Sequence, residues 1–160
     1  MIRFTVYGTP APAGSKRGFY NAKAKRVIVT DDSKRSRPWK AQVADAAVEA
    51  MLHPDDGSRT LVCRPLLEGP LAVVFTFYVT RPKGHYGARG LKPSAPDYPT
   101  VKPDVLKLAR AVEDALSQVV YRDDSQIVTE RLQKRYGEPA RVEVEIREAG
   151  ETPALTVEAA

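Results

Sequence analysis

Three aspartates stand where a divalent cation and a phosphate could meet. Asp104 lies at the mouth of a predicted helix, and Asp123 and Asp124 lie just beyond its far end. Between them the helix carries Lys107, Arg110, Glu113 and Asp114 on its polar face. Mg²⁺ typically takes one or two carboxylates, keeps several waters and completes its shell with substrate phosphates. Its catalytic use is to ready a water for attack and to neutralise charge developing on the phosphate. Each residue also has an ordinary reading. Asp104 suits the N-cap of the helix, Asp123-Asp124 suits a turn, and Lys107, Arg110 and Asp114 suit a solvated helix face. Two details favour the chemical reading. Lys107, at the third helical position, removes any capping box and opposes the helix dipole unless an anion sits nearby. Adjacent carboxylates repel, and a cation relieves that repulsion.

The elements that must position these acids are legible from periodicity. Val105 to about Gln118 has an apolar stripe of Val105, Leu108, Ala109, Val112, Ala115 and Leu116, the spacing of a helix packed on one side. A second helix is predicted from Ser36 to Leu52, with Trp39, Val43, Ala46, Ala47, Ala50 and Met51 inward. Ile2–Tyr7, Arg26–Thr30 and Leu71–Val79 read as strands, the last apolar on both faces and so central. Ser125–Tyr136 reads as a polar, edge or ligand-facing strand, and Arg141–Arg147 alternates sharply; the Gly137-Glu138-Pro139 turn predicts that these two form a hairpin. Gly8 to Arg17 and His53 to Thr60 read as loops, placing Lys16 and Arg17 on the first of them. Residues 81–103, rich in Pro, Gly, Lys and Arg, read as a long basic loop, mobile without its ligand, and 148–160 as a flexible tail. The expectation is one α+β domain over residues 1–147, two-layered, with a small mixed sheet of about five strands and two main helices packed on it.

A chain of 160 residues with no long apolar run predicts a single domain and no membrane span. The lone Cys63 excludes an internal disulfide, no Cys/His cluster has zinc spacing, and the expected setting is reducing and cytoplasmic. His53 and His85 have no partner at ligand spacing. The net charge of +5 is unevenly spread: residues 1–40 hold ten Lys/Arg against two acids, whereas 111–160 sum to −5. A basic segment of that kind suits a polyanionic partner, since each phosphate contact releases condensed counterions.

Lys102, Pro103, Asp104, Leu108, Ala111, Asp114, Ala115, Leu116, Asp123, Asp124 and Gln126 fall in register with a motif of the RusA family of Holliday junction resolvases, which the chain resembles over most of residues 1–147. The opening FTVYGTPAPAGSKR and the closing RVEVEI also look like that family. The resemblance implies a small homodimeric, Mg²⁺-dependent endodeoxyribonuclease, with Mn²⁺ as a substitute, in a bacterial cell and often phage- or prophage-encoded. It would bind branched DNA, four-way junctions, by shape and nick two strands of like polarity symmetrically, in DNA recombination and repair. Residue matching makes Asp104 and Asp124 metal-binding, catalytic carboxylates with Asp123 adjacent, and puts Arg110 at the family's catalytic lysine. Lys16, Arg17, Lys34, Arg35, Arg37 and Lys107 would grip phosphates without reading bases. The departure is Leu106, where the family has a second aspartate. On a helical wheel Leu106 falls between Arg110 and Glu113, off the apolar stripe. Glu113, two turns on, reads as too distant to replace it; either two carboxylates and water suffice, or another acid such as Asp97 or Glu130 substitutes, or activity is weak. The alternative is a junction-binding protein whose catalysis is weakened or lost.

Overall fold

Alternation in Ile2–Tyr7 gives strand β1, with Ile2 and Val6 buried. In the computed structural model, which describes residues 1–14, 16–31, 35–54 and 61–150, β1 is followed by β2 (Lys16–Asn21) and β3 (Arg26–Asp31). Helix α1 (Ser36–Met51) leads into two short strands, β4 (Leu52–Pro54) and β5 (Leu61–Cys63), and then into the nine-residue β6 (Leu71–Val79). A small hairpin, β7 (Tyr86–Gly87) and β8 (Gly90–Leu91), precedes helix α2 (Val105–Leu116), β9 (Ile127–Tyr136) and β10 (Arg141–Glu148).

The main sheet has four strands in the order β1-β10-β6-β9, and β2-β3, β4-β5 and β7-β8 form separate two-stranded ribbons. This is the expected α+β domain, with the strands divided among several sheets. β6 is internal, as its two apolar faces require, and β9 is an edge. β6 and β9 run parallel, Phe75 opposite Leu132, because α2 makes the crossover between them. Trp39, Val43, Ala47 and Met51 of α1 and Leu108, Val112 and Leu116 of α2 join Phe75, Phe77, Val142, Val144 and Ile146 in one core. Each fully buried Leu, Val or Phe contributes about 1.5–3 kcal/mol. Lys40 Nζ, 2.6 Å from Asp114 Oδ2, ties α1 to α2.

The predicted β9–β10 hairpin does not form. β10 is antiparallel to β1 on one side and to β6 on the other, so β6 lies between β9 and β10. Val142, Val144 and Ile146 belong opposite two apolar strands, and the polar β9 cannot supply such a neighbour. The intervening turn crosses the end of β6, held by Gly137 N to Val79 O at 3.1 Å and Gly8 N to Ala140 O at 2.9 Å. A Cβ on Gly137 would stand 2.5 Å from Cδ1 of Tyr78, so the crossing is tight enough to demand glycine.

Four other boundaries differ from expectation. Lys16 and Arg17 open β2, opposite Asp31 and Thr30, instead of ending a loop. The aromatic run Phe19-Tyr20 pairs with the β-branched run of β3 across a turn in which Asn21 Oδ1 accepts from Lys23 N and Ala24 N. His53 and Pro54 continue into β4, paired with β5, and residues 55–60 lie outside the described residues. Glu148 is the last residue of β10, opposite Leu71, rather than the first of a tail. The 81–103 stretch carries a single 3-10 turn, Lys83–His85, and the β7-β8 hairpin.

Candidate active site

Helix α2 ends where its apolar stripe ends, and the chain then turns back under it. Ser117 N, Ser117 Oγ and the Tyr121 hydroxyl all donate to Glu113 O, at 3.0, 3.2 and 3.2 Å. Val120 and Tyr121 are fully buried, which fixes the return path. Asp123 then caps a 3-10 turn over Asp124–Gln126. Its Oδ1 accepts from Ser125 N at 2.9 Å, while Gln126 Oε1 accepts from Asp123 N and Nε2 donates to Leu67 O and Gly69 O. These hydrogen bonds from Ser125 hold the Asp123 carboxyl below the usual carboxylate range. Asp123 and Gln126 thus build the turn, and Asp124 is left exposed on it.

Asp124 lines an open cavity of about 420 Å³ with Glu113 of α2 and Glu130 of β9. Glu130 pairs in register with Val73, so it sits on the helix-facing side of its strand. Glu113 is pushed up to about 8, first by burial, then by a hydrogen bond with Glu130 and by the charges of Glu130, Asp124 and Asp114. The Tyr121 hydroxyl is raised as well, by burial and then by Glu113, Asp124, Asp114 and Glu130. Asp114 has Lys40 as its counter-ion; among the described residues no ion pair reaches Glu113, Asp124 or Glu130. Three uncompensated carboxylates therefore share one wall.

Asp104 occupies the N-cap position of α2, yet its side chain makes no capping hydrogen bond. Its Oδ2 lies 3.9 Å from Lys107 Nζ. Both line a second cavity, about 720 Å³, between the Thr9–Pro12 loop and Lys102–Pro103, with Arg35 on its rim. Ala13 N donates to Lys107 O at 2.7 Å, and Lys134 Nζ holds the Val101 and Pro103 carbonyls at 2.7 and 2.9 Å. The wall is thus pinned to both α2 and β9. Nine helical residues, about 13 Å at ~1.5 Å each, separate Asp104 from Glu113 along the axis.

Of the residues expected to hold metal, then, Asp124 meets Glu113 and Glu130, Asp123 is engaged in its turn, and Asp104 lines the basic cavity. Among the described residues no three of His, Cys, Asp or Glu are folded around one ion position. Arg110 is exposed on α2, one turn before Glu113, with no ion pair among the described residues. Leu106 is 69% exposed, off the apolar stripe as its position on the wheel requires. Among the cations expected to grip DNA, Arg35 and Lys107 share a cavity, Arg37 is exposed at the start of α1, Lys16 and Arg17 lie in β2, and Lys34 falls outside the described residues. Glu113, which reads from sequence as too distant to replace an aspartate at Leu106, lines the Asp124 cavity, and Tyr121, which carries no sequence signal, binds the Glu113 carbonyl. The signal for Glu113 was its place seven residues after Leu106, on the same line of the helix.

A profile of the RusA endodeoxyribonuclease family matches residues 10–147, most of the chain. The chain belongs to the RusA family. The match takes in α1, α2, β6, β9, the Asp124 cavity and all of the basic cavity's lining but Thr9, and leaves out only β1 among the strands of the main sheet. An uncharacterised protein of Bacillus subtilis (strain 168), YqaN, is 35% identical over 150 residues, covering 92% of this chain and 96% of that protein. RusA membership carries endodeoxyribonuclease activity as the family's chemistry. No helix among the described residues is long and apolar enough to cross a membrane.

Proposed function

We propose that this chain is a divalent-metal-dependent endonuclease that resolves four-way DNA junctions by paired nicks, acting as a homodimer so that two strands meet two sites. The observation that carries this reading is the RusA match over residues 10–147, which spans the cavity where Asp124, Glu113 and Glu130 meet. Asp124, Glu113 and Glu130 offer the hard oxygen ligands that Mg²⁺ or Mn²⁺ takes, Glu113 half-buried and the other two exposed, although among the described residues no three acids are gathered around one ion position. Asp124, Glu113 and Glu130 would hold the ion. When bound, it supplies charge neutralisation at the phosphate and acidifies a water.

The other residues have their own tasks. Arg110, one turn from Glu113, meets the charge of the scissile phosphate, as a guanidinium in place of the family's ammonium. Arg35, Lys102 and Lys107 line the basic cavity and hold neighbouring phosphates. Asp104 positions Lys107 through their ion pair. Glu113 retains its proton near neutrality, so a cation held there would compete with that proton.

The test is incubation of a synthetic four-way junction with the protein and Mg²⁺. Symmetric nicks, lost in Asp124→Asn, support the reading; an intact junction in both Mg²⁺ and Mn²⁺ ends it. Leu106, exposed where the family has an aspartate, favours a second reading in which the protein binds junctions without cutting them. That reading requires Leu106→Asp to switch on cleavage from zero.

A further inference from the structure

The stretch from Arg81 to Pro96 carries four cations, Arg81, Lys83, Arg89 and Lys92, and no acid. Its hairpin pairs Tyr86 with Leu91 and Gly87 with Gly90, leaving Ala88-Arg89 as the turn. A hairpin this short does not hold itself together in water. Here the base is clamped. Lys92 N donates to His85 O at 2.9 Å, Lys92 Nζ to Gly84 O at 2.8 Å and Arg81 Nη1 to Pro96 O at 2.7 Å. The Arg81 guanidinium lies 4.1 Å over the Tyr136 ring, and the His85 ring meets the same ring edge-on at 5.6 Å.

The tip, by contrast, is bare. Arg89 at the turn and Lys83 just before the hairpin are exposed, and among the described residues their side chains have no ion pair or hydrogen bond. Tyr86 and Leu91, paired across the hairpin, are 47% and 50% exposed. Free cations flanking an exposed apolar pair match a surface that alternates phosphate with sugar. We propose that the Tyr86–Leu91 hairpin is a DNA-gripping arm, seated on the backbone of one duplex branch away from the cut. This rests on the nuclease reading and deepens it.

β9 sets the spacing. Glu130, Lys134 and Tyr136 share the helix-facing side of that strand, through their register with Val73, Phe77 and Val79. Tyr136, which anchors the arm, lies six residues beyond Glu130, about 20 Å at ~3.3 Å per residue. A DNA strand advances about 3.4 Å per nucleotide, so the arm meets phosphates about six nucleotides from the scissile one.

The test is Lys83→Ala/Arg89→Ala, with binding of a fluorescent four-way junction followed by anisotropy in EDTA between about 50 and 200 mM salt. The variant should bind about tenfold more weakly, with a salt slope reduced by about 2. Hydroxyl-radical protection should fade about six nucleotides from the cut and persist at it. Lys83→Arg/Arg89→Lys should bind as wild type does. Unchanged affinity and slope in the alanine variant, with wild type binding normally, overturn the arm alone. Wild-type protein that binds no junction overturns the nuclease reading and the arm with it. An altered oligomeric state at unaltered DNA affinity overturns the arm in favour of a protein partner.

Discussion

The Tyr121 hydroxyl donates to the main-chain carbonyl of Glu113 at 3.2 Å, joining the last turn of α2 to the segment that presents Asp124. Ser117 Oγ reaches the same carbonyl, also at 3.2 Å. The return segment is therefore fixed against the helix at the residue whose carboxylate faces Asp124. Tyr121→Phe keeps the buried ring and loses one donor, a change of about 1 kcal/mol. The melting temperature should fall by about 2–4 °C, measured by scanning fluorimetry. A larger rise in Tm with Mg²⁺ than wild type shows would contradict a positioning role for this hydroxyl.

Glu113 makes stability depend on pH. Its folded value of about 8 lies above the ordinary 4.5, so the native protein keeps a proton that the unfolded chain has already lost. The contribution of Glu113 to stability is thus fullest below 4.5, declines as pH rises towards about 8 and levels off above it. Glu113→Gln should flatten this decline and leave the acid end unchanged. Thermal melts across that range check it; a Gln variant with the wild-type profile would assign the decline to another group.

Cation binding should follow the same proton. With Glu113 deprotonating near 8, Mg²⁺ should raise the wild-type Tm more at alkaline pH than at pH 6, by several-fold in the apparent affinity per unit of pH. Calorimetry in buffers of different ionisation enthalpy would register the released proton. No proton release on Mg²⁺ binding would separate the ion from the Glu113–Glu130 pair.

Asp124→Asn and Asp104→Asn should part company. The first should abolish the Mg²⁺-induced rise in Tm. The second should retain it while weakening junction binding about two- to fivefold, the scale of one surface ion pair. Equal loss in both variants would bring Asp104 onto the same cation as Asp124.

The turn after β9 offers a mutation of packing alone. Gly137→Ala drives a Cβ to 2.5 Å from Tyr78 Cδ1 and should cost about 1–3 kcal/mol by overpacking. Tyr78→Ala/Gly137→Ala should recover part of that loss, because the two sites share one contact. Additive losses in the double variant would locate the strain elsewhere.

How much of this was legible in the sequence depended on whether a signal was local. The α2 stripe, the apolar β6 and the alternation in β10 are properties of single segments, and each element lies where its periodicity put it. Strand order is a property of pairs. Gly137-Glu138-Pro139 looks like a hairpin turn, and only the need of Val142, Val144 and Ile146 for apolar neighbours on both sides places β6 between the strands it joins. The acids divide in the same way. Asp123 and Asp124 look equivalent in sequence, and the Ser125 amide distinguishes them. Glu113 reads as too distant, at two helical turns, to stand in for an aspartate at Leu106; it acquires meaning only when β9 brings Glu130 to the same cavity.

The place of β10 has a consequence for biosynthesis. β1 precedes every other strand of the main sheet along the chain, yet among the described residues its partner in that sheet is the strand spanning Arg141–Glu148. A growing polypeptide on the ribosome therefore holds its opening strand unpaired until nearly all of the described fold has emerged. A product truncated before Arg141 leaves β1 without its neighbour in the main sheet and bares one edge of β6, exposing unpaired backbone to association with other chains.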